Sequence, residues 1–554
     1  MMRSAAIVLS AVLAVAAVVN LRAQAGGAGP VLSEITEARL EADIRFLSHD
    51  LLEGRAPSTR GGELAAQFIA ARFAGIGLQP GAPDGTFFQP VTIVESRVKP
   101  DFTLTVSGSG EPLRFEYLKD VVAFAGVEKP EVRVDAELVF VGFGISAPEQ
   151  RWNDYAGVDV KGKIVVAMVN DPPATPQEPE LFGGRALTYY GRWTYKFEEA
   201  ARQGAAGAIL IHTTESASYP WQVVQSSWSG TQYSLPPEPG APVLPLKAWV
   251  TEDAARAIAG KAGQDLDRLR AAARTRGFKA VPLGIRASAV LQQEQQRRTS
   301  PNVIGVLPGE RRDEAVVFTA HYDHFGIREA APGDPPDADR IYNGAMDNAT
   351  GVAGILAIAE SMARAPQRPG RSIYFVATTA EESGLLGSEY FAANPPLPLD
   401  RIAANINVDG LNNLGPARDL VLLGAERSTL GDLAREILKR VDRTLGTDPE
   451  PEKGYFFRSD HFPLAKGGVP AVSISDSTDY IGKDPGFAQR MRDEYTNRHY
   501  HQPSDEFDPS WDLAGAVADL RVLARLGWEV AARAQMPAYH EGEQFAQPRA
   551  NRTR

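Results

Sequence analysis

Three short apolar runs, each closing on a cluster of carboxylate or imidazole groups, constrain this chain more than any other feature. Residues 315–320 lead into Ala320-His321-Tyr322-Asp323-His324, residues 372–378 into Ala380-Glu381-Glu382-Ser383-Gly384, and residues 403–408 into Asp409-Gly410. Runs this short, apolar and rich in β-formers are expected to be buried strands of an α/β sheet. In open α/β sheets functional groups gather outside the carboxyl ends of the strands. Three strands ending in the same chemistry therefore predict one site along one edge of one sheet.

The residues at those ends suit metal ligation. His321 and Asp323 are two apart, so in extended backbone both side chains face the same way. A natural division makes His321 the ligand and Asp323 the group that holds its ring in the right tautomer, with His324 orienting or structural. Asp347, in Asn343-Gly344-Ala345-Met346-Asp347-Asn348, precedes a helix expected over 351–363. Alone it reads as an ordinary N-terminal helix carboxylate; beside the other clusters it becomes a candidate bridging ligand. Glu381 and Glu382 are adjacent and diverge, so one can bind metal while the other faces water as a general base. A late cluster, Tyr500-His501-Gln502-Pro503-Ser504-Asp505, supplies a further imidazole. Five of the eight histidines fall in three places, 321 with 324, 461, and 499 with 501. Residues 459–463 are candidates for the pocket lining. The chain has no cysteine, so any metal must sit on nitrogen and oxygen.

At 554 residues the chain is long enough for more than one domain. Its net charge of −11 argues against nucleic acid or an anionic membrane as main partner. Arg3, the apolar run 5–19 and Ala23-Gln24-Ala25 have the order of a secretory signal peptide, expected over 1–25, so the mature protein should be exported, periplasmic or secreted, with no membrane span. Leu40, Ile44, Leu47 and Leu51 recur at helical spacing, and a second helix follows Gly61-Gly62. A separate set of strands and helices lies over 125–285. It holds only one histidine, His212, at a strand end where such a residue is usually structural. The part that carries the clusters is then expected over 33–124 and 286–536, closing on a helix over 511–534, with a flexible tail over 537–554.

In combination the clusters resemble the co-catalytic zinc aminopeptidases of the M28 peptidase family, whose pattern is H-x-D, G-x-x-D-(D/N), E-E-x-G, an Asp at a strand end and a late Y-H. Leu52-Glu53-Gly54-Arg55 and the helix after it also fit. The resemblance implies a mixed, mainly parallel central sheet flanked by helices, an α/β/α sandwich. It implies two Zn²⁺ ions on His321, Asp347, Glu382, Asp409 and His501, with Glu381 as general base and Tyr500 stabilising the oxyanion. It also implies a cis Asp347–Asn348 peptide and peptide substrates. Residues 125–285 resemble an inserted, β-rich protease-associated domain through Asp159-Val160-Lys161-Gly162-Lys163-Ile164 and Ala200-Ala201-Arg202-Gln203-Gly204-Ala205-Ala206-Gly207, a module expected to shape access and carry no chemistry. An aminopeptidase needs an acidic group for the substrate's amine. The alternatives are a carboxypeptidase or dipeptidase on the same fold, a glutaminyl cyclase, or an inactive receptor-like relative. A carboxypeptidase would need a basic cluster, and the loop arginines Arg328, Arg340 and Arg458 do not form one in sequence.

Overall fold

The computed structural model describes residues 29–330 and 335–546; the signal peptide expected over 1–25 lies outside the described residues, as does 547–554 of the expected tail. The three apolar runs do become strands, Arg311–His321, Arg371–Thr378 and Ile402–Asn407, joined by a fourth, Ala471–Ser475. These four run parallel to one another. Antiparallel neighbours close the set on each side: residues 303–307 against Arg371–Thr378, and Asp419–Leu423 against Ala471–Ser475. The sheet is mixed with a parallel centre.

Strand alternation places this sheet between two helical layers. Val316, Phe318 and Ala320 face the main core, and the intervening Val317 joins Val376, Phe391 and Leu464 on the opposite face. The main core is completed by Ile44 and Leu47 of the helix Glu37–Leu47, Ile69 and Phe73 of Arg60–Ile76, and Leu520 and Leu523 of Ala514–Ala532. The helix Thr350–Ala363 is apolar almost all round because it lies between the sheet and these helices. Leu51 does not join the first helix's stripe: the helix stops at Leu47, the chain turns into a tight helical stretch from Asp50, and Leu51 is left 70% exposed.

A second sheet follows the first helices. The strands Glu131–Phe140, Ile164–Met168, Gly207–Ile211 and Leu246–Val250 are parallel neighbours in that order. They enclose apolar clusters of their own, with Leu138, Ile164, Ile209 and Ala248 on one face and Val139, Val165, Leu210 and Trp249 on the other. One strand of 27 residues, Val281–Leu307, belongs to both sheets. Its residues 281–292 pair with Glu131–Phe140, and its residues 293–303 pair with Phe88–Val98. The chain therefore leaves the first unit and returns to it along two hydrogen-bonded strands. Thr231–Ser234 also pairs with Phe88–Val98, which carries the helix Trp221–Ser227 toward the first unit.

Beyond Met536 the aperiodic sequence suggests a loose tail, yet residues 537–546 are held. Ala538 accepts from the Thr429 amide, Tyr539 donates its hydroxyl hydrogen to the Val469 carbonyl at 2.7 Å, and Glu543 pairs with Arg427 at 3.0 Å. Phe545 is buried among Phe456 and Phe462. Two aromatic anchors and one ion pair suffice without any helical period. Among the described residues no helix is long and apolar enough to cross a membrane.

Candidate metal centre

Sheet register brings the polar clusters together. His321 is opposite Thr378, and Thr319 is opposite Asn407, so the three strands end level with one another. His321 ends its own strand, Glu381 and Glu382 follow Thr378 by three and four residues, and Asp409 follows Asn407 by two. Ala380, with φ +54°, turns the chain sharply just before the two glutamates.

Asp347 reaches the same edge on a loop held from both sides. The Met346 and Asp347 amides each donate to the Asp505 carboxylate at 3.0 Å. Asn348 ties the loop to the strand end that carries Asp409: its amide donates to the Val408 carbonyl at 3.0 Å, and its oxygen accepts from Gly410 N at 3.0 Å. The Asp347–Asn348 peptide is cis.

The side chains fall into two groups that share Asp347. His321 Nε2 lies 3.1 Å from Asp347 Oδ1 and 3.3 Å from Asp409 Oδ1, with Glu381 Oε2 at 3.9 Å. His501 Nε2 lies 3.4 Å from Asp347 Oδ2 and 3.1 Å from Glu382 Oε2. The two oxygens of one carboxylate thus face two different imidazoles. His501 comes from the far end of the chain, with Tyr500 stacked on it at 3.8 Å between ring centroids. All eight residues singled out in the sequence line or adjoin this one place.

The residues around the centre divide differently from expectation. The His321 ring is met at Nδ1 by the backbone carbonyl of Asp323, 3.3 Å away, whereas the Asp323 carboxylate is 4.0 Å off. That carboxylate instead accepts from the Glu381 and Glu382 amides at 3.1 and 3.4 Å, fixing the turn that carries both glutamates. His324 Nδ1 meets Glu382 Oε1 at 2.5 Å, from the side opposite His501's contact with Oε2. Ser459 and Phe462 line the cavity. His461 is buried in an aromatic cluster behind it.

Three supports were not legible in the sequence. Arg55 is fully buried and donates to the carbonyls of Tyr322, Leu47, Asn343 and Gly344, which joins the loops on both sides of the site. Asp505 holds the Asp347 loop. Ser227, from the second unit, sets its hydroxyl 2.9 Å from His501 Nδ1. Arg55 and Asp505 lie inside the quoted motifs, a signal of place if not of role. Ser227 carries no local signal at all.

Electrostatics and donor chemistry both fit a cation. Burial pushes Glu381 well above the usual carboxylate range, and Glu382 and Asp409 add to it. Burial also lifts Asp323, to about 7. Burial alone would lower His321, but Glu381, Asp409 and the contact with Asp347 hold it well above its ordinary value. His501 is lifted to about 9 by Glu382 and Asp347 against the same burial. The carboxylates outnumber the imidazoles, so the pocket as built attracts positive charge. His501 Nε2 is buried with no hydrogen-bond partner and faces two carboxylates, as a metal-ligating nitrogen does. The sets His321–Asp347–Asp409 and His324–Asp347–Glu382 each bring three donor atoms within 4.8 Å of one another. Imidazole and carboxylate without thiolate suit Zn²⁺.

The centre opens into a cavity of about 910 Å³ walled by both units, with Arg192, Tyr219, Ser227 and Trp228 facing Asp347, Glu382 and Tyr500.

Residues 302–524 match the model of peptidase family M28. The chain is 27% identical over 197 residues to leupeptin-inactivating enzyme 1 of Streptomyces exfoliatus, covering 33% of this chain and 43% of that protein. It is 26% identical over 222 residues to aminopeptidase YwaD of Bacillus subtilis (strain 168), covering 38% and 40%. The chain thus spans less than half the length of these curated relatives. Among solved structures, an aminopeptidase from Aneurinibacillus sp. strain AM-1 aligns over 91% of this chain and 96% of that one, with a TM-score of 0.52 and 20% identity, a likeness of fold. The matched segment contains all four strand-end and loop clusters and the late His501, so residues 302–524 are similar to peptidase family M28.

Proposed function

We propose that this protein is an exported zinc-dependent aminopeptidase that removes N-terminal residues from peptides. The observation that carries the reading is the shared carboxylate: Asp347 turns one oxygen to His321 and the other to His501. In this reading His321, Asp347 and Asp409 would hold one zinc ion, and Asp347, Glu382 and His501 would hold a second. Two zinc ions bound there would polarise the scissile carbonyl and make the attacking water acidic. Glu381 takes the proton from that water and passes it to the leaving amine. Tyr500 donates its hydroxyl to the carbonyl oxygen as that atom gains charge. Its phenol, kept protonated by burial and by Asp347 and Glu382, is in the right state to donate. Asp323 fixes the turn of Glu381 and Glu382, and Ser227 orients His501.

The aminopeptidase direction draws support from the names of two relatives and from acidic groups in the cavity wall, among them Glu198, Glu389 and Asp476. Residues 125–285 are read as an inserted protease-associated domain. Ser227 gives this unit a contact with His501 at the edge of the site. Export rests on the leader-like residues 1–25, and N-terminal sequencing of the secreted protein checks it.

The deciding experiment compares free and N-acetylated aminoacyl substrates, with and without chelator, alongside zinc analysis. Cleavage is expected only with a free amine, is expected to vanish on chelation, and is expected to return with Zn²⁺. Equal cleavage of the N-acetylated substrate overturns the aminopeptidase reading, and full activity in chelator overturns the metal.

A further inference from the structure

Two arginines face the cavity without a counter-ion. Arg192 sits just before the helix Trp193–Arg202 of the second unit, and Arg458 just after the short helix Tyr455–Phe457 of the first; both line the cavity that holds Asp347 and Glu382. The Nε of each is buried and lacks a hydrogen-bond partner. Arg458 has one weak bond, from Nη2 to the Ala217 carbonyl at 3.4 Å, and lies over the rings of Tyr219 and Tyr455 at 5.7 and 5.0 Å. Among the described residues no Asp or Glu pairs with either guanidinium. Their neighbours differ: Arg492 in the same wall has Glu450 at 3.5 Å, and Lys453 has it at 2.7 Å.

Burial, with the nearby charge of Arg458 acting in the same direction, lowers the Arg192 pKa to about 10. Two like charges sharing a partly desolvated wall are unfavourable unless an anion lies between them. Guanidinium forks present paired N–H donors that match the two oxygens of a carboxylate. The place adjoins the reaction centre, since the Tyr500 phenol is influenced by Asp347 and Glu382 and also by Arg458 and Tyr219.

We infer that Arg192 and Arg458 together form a subsite for a carboxylate on the leaving-group part of the substrate, which makes short peptides the substrate class. The inference rests on the aminopeptidase reading and narrows it. One arginine comes from each unit, so the subsite exists only when the two are packed together.

The test compares kcat/KM of the zinc-loaded enzyme on three free-amine substrates: a dipeptide acid, the same dipeptide as its C-terminal amide, and an amidated dipeptide whose second residue is glutamate. The wild type is expected to prefer the acid over the plain amide by about 10–100-fold, the range for hydrogen bonds to a charged group. Recovery of that preference by the glutamyl amide assigns the carboxylate to a side chain; no recovery assigns it to the C-terminus. In Arg458→Gln and Arg192→Gln the acid-to-amide ratio should fall by about tenfold or more, mostly through KM. That ratio does not depend on the folded fraction, so a merely structural role leaves it unchanged and overturns the inference. Equal wild-type rates on acid and amide overturn it without any variant. Failure of all three substrates would instead count against the aminopeptidase reading itself.

Discussion

Ser227 Oγ lies 2.9 Å from His501 Nδ1, joining residues 274 positions apart and belonging to different units. An imidazole that donates from Nδ1 to this hydroxyl keeps its Nε2 lone pair free to face Asp347 and Glu382. Such partners of metal-ligating histidines typically govern about 10–100-fold in metal affinity or activity. Ser227→Ala should therefore weaken zinc binding by about tenfold or more in a competition titration, with the overall fold intact by circular dichroism. Zinc binding as tight as in the wild type would show that the hydroxyl does not orient the ring.

Glu381 is the proposed base because it is buried beside the His321 group and crowded by Glu382 and Asp409, which raises its affinity for a proton. Glu381→Gln keeps the volume and removes the basicity. The variant should retain its zinc and lose at least about two orders of magnitude in kcat, as loss of general acid–base catalysis typically gives. Near-normal turnover would remove Glu381 from the mechanism.

The parts of the site that could be read in sequence are those whose signal is local. A buried parallel strand is a contiguous apolar run, and its carboxyl end is the next residue along, so His321, Glu381, Glu382 and Asp409 stood at visible boundaries. His501 was found because imidazole is scarce in this chain and stood beside Tyr500. Contacts made by ordinary residues across long separations leave no such trace. Ser227 is one serine among many on a short helix of another unit. Arg458 looks undistinguished until Arg192 is folded against the same cavity. The partners of the Asp323 carboxylate are hidden for a related reason: the two-residue spacing allows it to reach toward His321, but the turn at Ala380 brings two amides closer to it.

Arg55 anchors the loops beneath the site through hydrogen bonds to four carbonyls, those of Leu47 and Asn343 at 2.5 Å, Tyr322 at 2.8 Å and Gly344 at 2.9 Å. Burial pushes its pKa down to about 10, and Asp323, Asp505 and Asp347 oppose that, so it remains charged at neutral pH. Arg55→Met leaves the four carbonyls without this donor and should cost at least about 3 kcal/mol, seen as a lowered Tm together with zinc loss. Arg55→Lys keeps the charge but not the planar fork and should recover only part of the loss. An unchanged Tm in Arg55→Met would mean that the loops hold their places without it.

His461 should make stability depend on pH. It is fully buried, its ring packs edge-on against Phe456 at 4.9 Å between centroids, and neither ring nitrogen has a hydrogen-bond partner. Burial lowers its pKa to about 3 against an opposing contact with the Phe456 backbone, and the charge of Arg427 adds a smaller push in the lowering direction. The folded protein therefore holds it neutral, while an unfolded chain protonates it near pH 6.5. A base whose folded pKa is depressed costs nothing above the unfolded value and progressively costs stability as pH falls from about 6.5 toward about 3. At pH 5 the loss is about 2 kcal/mol. With chelator present to remove any contribution from metal release, the wild-type Tm should fall more between pH 7.5 and pH 5 than that of His461→Gln, which cannot take up the proton. Parallel falls in the two proteins would show that the acid sensitivity arises elsewhere, among the carboxylates and imidazoles of the metal centre.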